Sequence, residues 1–172
     1  MKAQLALLIC LFAAGDALAA AARAAKPPTP RATHILVDKS ERLMHVYAGK
    51  KEIATFTIGL GTSPLGHKVQ EGDRRTPEGR YTLDFKKRDS TFFRAIHINY
   101  PNAADRAHAK KLGVSTGGDI MIHGESNNPV QRAALRRLRY RDWTYGCIAL
   151  YNEDMQKLWD QVGVPTPIEI VP

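Results

Sequence analysis

From His34 onward the chain is built of short runs in which apolar and polar residues alternate, the two-residue period of half-buried strands. His34-Ile35-Leu36-Val37, Leu43-Met44-His45-Val46-Tyr47 and residues 53–58 are rich in β-branched and aromatic side chains. Polar turns at 38–42 and 48–51 separate them, so this part reads as a meander of hairpins. Gly59, Gly61, Pro64 and Gly66 then open a long loop. Further strands are expected at 81–85, 95–99, 120–122, 147–150 and 168–171.

Two segments change period. In 153–162, Met155, Leu158, Trp159 and Val162 recur at helical spacing and predict one buried helix face, which assigns Trp159 to the core. Asn152 is the expected N-cap, Glu153 and Asp154 suit the positive end, and Gly163 and Pro165 stop the helix. A second helix is expected over 130–139. There Arg132, Arg136, Arg137 and Arg139 surround a thin stripe of Ala133, Ala134, Leu135 and Leu138. The class is therefore mainly β with a few short helices.

The first residues follow a different logic. Met1-Lys2, an apolar run over 5–14 and Ala17-Leu18-Ala19 have the form of an export signal with its cleavage site. The run is shorter than the roughly 20 residues that span a bilayer, so no membrane span is expected after cleavage. The expected organisation is a signal peptide over 1–19, a flexible Ala/Pro-rich leader over 20–32, and one domain over 33–172. The formal net charge is +8, but the basic residues are scattered from Arg31 to Lys157. That spread gives no dedicated nucleic-acid arm, and no nucleic-acid partner is expected.

Export changes the meaning of the cysteines. Cys10 lies inside the signal, which leaves Cys147 as the one thiol of the processed chain. Exported proteins usually hold cysteines as disulfide pairs, so an unpaired thiol is a candidate nucleophile. His123, followed by Gly124 at the end of an apolar strand, is the candidate base. Gly146, just before Cys147, lets backbone approach a substrate closely. A neighbouring histidine is expected to lower the thiol pKa. His34 and His45 alternate within strands, His67 and His108 lie in polar stretches, and His97 faces either core or site. No C-x-x-C and no zinc-ligand spacing occurs, so neither a metal nor an organic cofactor is expected.

Ile122-His123-Gly124 followed by Thr144-Tyr145-Gly146-Cys147-Ile148 resembles the signature of YkuD-type L,D-transpeptidases. The resemblance extends from about Thr33 to Val171. It includes Thr76-Pro77-Glu78-Gly79-Arg80-Tyr81, His97-Ile98-Asn99-Tyr100-Pro101-Asn102 and residues 117–124, and 141–149 is closest to the YafK-like branch. It implies a β-sandwich-like catalytic domain and an exported cysteine acyltransferase, periplasmic in a host with an outer membrane. The substrates implied are peptidoglycan stem peptides, attacked at diaminopimelate through a Cys147 thioester. An amine then resolves the thioester in cross-linking or protein attachment, or water does so in hydrolysis. One YafK-like member resembles a hydrolase that releases an attached envelope lipoprotein, a further candidate acceptor or substrate. By the motif, His123 is the base, Gly124 supplies the carbonyl that orients it, and the N–H groups of Tyr145, Gly146 and Cys147 form the oxyanion hole.

Three positions depart from the family pattern. Tyr145 stands where many members carry His, and Ala149 where many carry Arg or Asn. The spacer over 124–146 is long, and its Arg-rich stretch 130–141 is a candidate lid. Arg141 or Arg139 is expected to replace the missing cation in binding a substrate carboxylate, with His97 and Tyr100 as further substrate-binding candidates.

Overall fold

A computed structural model describes residues 29–137 and 142–172. Among these residues eight strands form one sheet. In chain order they are β1 (His34–Asp38), β2 (Leu43–Ala48), β3 (Lys51–Thr57), β4 (Gly79–Lys87), β5 (Ala95–Ile98), β6 (Met121–His123), β7 (Ile148–Ala149) and β8 (Thr166–Val171). Their order across the sheet is β3-β2-β1-β8-β4-β5-β6-β7. The first three strands are the antiparallel meander that the alternation predicts. The chain's last strand runs parallel to β1 and antiparallel to β4, and so ties the two halves together.

Beyond β3 the chain swings across to the other edge of the sheet. Gly59 N–H donates to the Ala149 carbonyl at 2.9 Å, and Ala149 N–H donates back at 2.8 Å. The sheet therefore curls into a half-barrel whose free edges meet beside β7. Inward-facing alternate residues, Ile35, Val37, Met44, Val46, Ile96, Ile98, Ile122 and Ile148, form the core.

Among the described residues there are three helices, α1 (Ala103–Leu112), α2 (Pro129–Arg137) and α3 (Asn152–Gln161). Helix α3 buries Met155 and Leu158 on the core as its periodicity predicts, and Val162 follows as its C-cap. Its N-terminus differs from expectation. Tyr151 is the N-cap and makes no side-chain cap bond, because the Asn152 side chain accepts from the Glu125 N–H at 2.8 Å instead. Helix α1 was not expected. Asn102 caps it by accepting from Ala104 and Asp105 N–H, and the Asp105 carboxylate in turn accepts from Asn102 N–H at 2.8 Å. Tyr81 hydroxyl also donates to Asp105, which pins the helix to β4.

Candidate active site

Strands β6 and β7 run parallel with Ile122 opposite Ile148 and His123 opposite Ala149. Ile122 and Ile148 are both fully buried on the core side. Side chains alternate along a strand, so Met121 and His123 turn to the opposite face, as does Cys147 one residue before Ile148. The register thus sets His123 and Cys147 on one face as diagonal neighbours of adjacent strands. Met121 N–H donates to Cys147 Sγ at 3.4 Å, which fixes the sulfur over β6.

His123 is buried, and its Nδ1 donates to the Gly124 carbonyl at 2.7 Å. That bond selects the tautomer and leaves Nε2 as the basic nitrogen. Phe92 packs on the ring at 4.5 Å, and Trp143 meets it edge-on at 5.6 Å. Burial pulls the imidazole down to about 4, against the smaller opposing effect of the Gly124 bond. Burial likewise pushes the Cys147 thiol above its ordinary value, with the Met121 N–H pulling back. The sulfur donates its proton toward the Asp119 carbonyl at 3.7 Å. The thiol shift is opposite to the sequence expectation. An unprotonated histidine has no charge with which to lower a thiol pKa, so at neutral pH the pair rests as imidazole and thiol.

The low pKa of His123 links the site to stability. Folding disfavours the charged ring, so this contribution is complete above the unfolded value near 6.5 and is lost as pH falls toward 4. About 3 kcal/mol is at stake. Urea unfolding of the protein and of His123→Gln should therefore converge in favour of the variant between neutral pH and pH about 4. Parallel curves for the two proteins would contradict the linkage.

The turn before Cys147 is held from several sides. Arg42 pairs with Asp142 through Nε at 3.0 Å and Nη2 at 2.7 Å. Asp142 accepts from Leu60 N–H, and the Leu60 carbonyl receives both Trp143 and Thr144 N–H. Thr144 Oγ1 then donates to the Cys147 carbonyl at 2.6 Å and accepts from Gly146 N–H at 3.1 Å. Gly146 N–H is thus engaged. Among the described residues no partner occurs for the N–H groups of Tyr145 and Cys147. Gly146 has φ +122°, and a Cβ there would lie 2.6 Å from the Arg75 carbonyl. At Gly124 a Cβ would lie 2.5 Å from the Phe93 carbonyl and 2.7 Å from Asn152 Oδ1.

The other sequence candidates are dispersed. Arg139 and Arg141 lie outside the described residues. Tyr100 is 3% exposed and its hydroxyl donates to the Thr116 carbonyl, so it supports the loop rather than lining an open surface. His97 stands opposite Met121 on β5, on the same face as Cys147. The Tyr145 side chain is exposed, and the Arg74 guanidinium sits over its ring at 5.1 Å. Arg74 is thus a cation beside the turn before Cys147 that sequence reasoning missed. Glu125, buried just after His123-Gly124, receives Arg136 of α2 in a bidentate pair at 2.5 and 2.6 Å.

A thiol and an imidazole on one face of adjacent strands, beside a glycine-constrained turn, are the kinds of group that acyl-transfer chemistry uses. The model of the YkuD L,D-transpeptidase catalytic domain matches residues 32–170. The chain belongs to this family. YafK of Escherichia coli strain K12 is 35% identical over 135 residues, covering 75% of this chain and 46% of YafK. The chain thus spans about half the length of the curated relatives it matches. Among solved structures, the helical cell shape determining protein Pgp2 from Campylobacter jejuni aligns with a TM-score of 0.61 at 26% identity, covering 82% of this chain and 48% of that one. An Enterococcus faecium L,D-transpeptidase, solved as a Cys-to-Ser variant, aligns at 0.53 with 19% identity, over 83% of this chain and 50% of its own, and shares the fold.

Proposed function

We propose that this protein is an exported acyltransferase that uses Cys147 to attack peptidoglycan stem peptides at diaminopimelate. The observation that carries the reading is the parallel register of β6 and β7, which sets Cys147 and His123 on one face with Nδ1 committed and Nε2 available. His123 Nε2 takes the thiol proton as the sulfur bonds to the acyl carbon. The N–H groups of Tyr145 and Cys147 receive the developing oxyanion. Collapse breaks the amide bond to the terminal D-alanine, whose nitrogen leaves with the proton held on His123. The acyl group is then a thioester on Cys147, ready for an amine or for water.

Cross-linking, attachment of an envelope lipoprotein and hydrolysis share this intermediate and differ in the second nucleophile. The resting pair is neutral, so the thiolate arises only as His123 accepts the proton. Arg74 at the mouth of the turn is a candidate for the donor carboxylate, the role that Arg139 or Arg141 would otherwise fill. Export follows from residues 1–19 and sends the protein to the periplasm where the host has an outer membrane.

Trapping with a β-lactam of the carbapenem class tests the nucleophile. Intact-mass spectrometry is expected to find one covalent adduct on the protein and none on Cys147→Ala. An unmodified wild type would favour a wall-binding domain without catalysis.

A further inference from the structure

The face that carries Cys147 continues across the sheet as a single row. On β6 the next position is Met121, whose N–H holds the sulfur. Opposite Met121 on β5 is His97. Beyond His97 the β4 ladder shifts register between Leu83 and Lys86, and this irregularity brings both Asp84 and Phe85 against His97. Asp84 Oδ1 lies 2.6 Å from His97 Nδ1, and the Phe85 ring stacks on the imidazole at 4.4 Å. Asp84 and Phe85 remain exposed, at 41% for the Asp84 side chain and 43% for Phe85. With strands spaced about 4.8 Å apart, the His97 backbone lies about 10 Å from that of Cys147.

We propose that His97, Asp84 and Phe85 form a subsite for the primary ammonium group of the acyl acceptor. It rests on the Cys147 acyl-transfer reading above. The three groups share one preference. Asp84 supplies negative charge, the exposed Phe85 face attracts a cation, and Asp84 occupies Nδ1, so that Nε2 is the nitrogen left to accept a bond. An amine bound there lies along the row over Met121, between His97 and the thioester.

The transfer balances as follows. His97 Nε2 takes one ammonium proton as the nitrogen pair bonds to the acyl carbon. The C–S bond breaks with its pair going to Sγ. A second proton passes to the sulfur through His123, and the third stays on the new amide. The cysteine returns as thiol, and His97 gives its proton to solvent.

The test is a competition within one acyl-enzyme. The protein is given a diaminopimelate tetrapeptide with Nα-acetyl-lysine, and the ratio of amine adduct to hydrolysed tripeptide is measured. His97→Gln and Asp84→Asn should each lower that ratio about tenfold, the weight of a hydrogen bond to a charged group. D-alanine released in a single turnover without added amine counts the acyl-enzyme formed and is the basis on which each ratio is compared. Hydroxylamine, uncharged at neutral pH, should keep its ratio in both variants. Because the ratio is a property of each acylated molecule, partial misfolding of a variant does not alter it. Equal losses with both amines, no loss with lysine, or a wild type that only hydrolyses at saturating lysine would each overturn the subsite alone. A wild type that releases no more D-alanine than Cys147→Ala would instead overturn the acyl-transfer reading and the subsite with it.

Discussion

His123→Asn is expected to slow acylation of Cys147 by about 10²–10⁴-fold, the range over which a positioned general base acts. The effect is large because the resting thiol is neutral and its pKa is raised by burial. Without the imidazole, the thiolate must form by loss of a proton to solvent. The pH profile separates the two regimes. In wild type, His123 is unprotonated above about 4, so the acid limb of the acylation rate should lie near that value rather than near 6.5. In His123→Asn the rate should instead climb about tenfold per pH unit toward the raised thiol value. Stopped-flow measurement of carbapenem acylation across pH reads both. A variant with the wild-type profile would show that His123 does not act as the base.

Gly146→Ala is expected to destabilise the protein by about 4 kcal/mol, combining backbone strain with overpacking. The backbone at this position has φ +122°, where a side chain is strained in any surroundings. The added Cβ would also lie 2.6 Å from the Arg75 carbonyl, main chain that a rotamer change cannot move aside. Relief requires the turn to shift, and the turn aims the N–H groups of Tyr145 and Cys147. Acylation should therefore fall even at temperatures where the variant is folded. Urea unfolding and carbapenem acylation of the same sample measure the two effects, and wild-type values in both would contradict the account of this turn.

Much of the fold could be read along the chain because its signals are local. The meander of β1 to β3 follows from two-residue alternation and polar turns, and α3 from Met155, Leu158 and Val162. Helix α1 escaped because it has no apolar stripe. Its buried residues are Asp105 and Ala109, and its start is specified by the Asn102 and Asp105 capping bonds. Asn152 has the chemistry of a cap, but the Glu125 N–H holds its side chain. Cys147, His123 and the two glycines stood out as a motif, while their surroundings depend on residues distant in sequence. Arg74 meets Tyr145, Arg42 meets Asp142, and Phe92 meets His123 only through the curl of the sheet. The direction of the thiol pKa was missed for the same reason, since burial is a property of the packed site.

The claim at the centre of this account is that Cys147 acylates itself from a peptidoglycan stem. The most direct measurement is mass spectrometry of diaminopimelate-containing fragments, including stems bearing a lipoprotein C-terminal peptide, after incubation with the protein or with Cys147→Ala. The account predicts loss of D-alanine or of the attached peptide with wild type alone, accompanied by dimers, amine adducts or hydrolysed stems. Unchanged fragments with wild type, or the same products with Cys147→Ala, would contradict it.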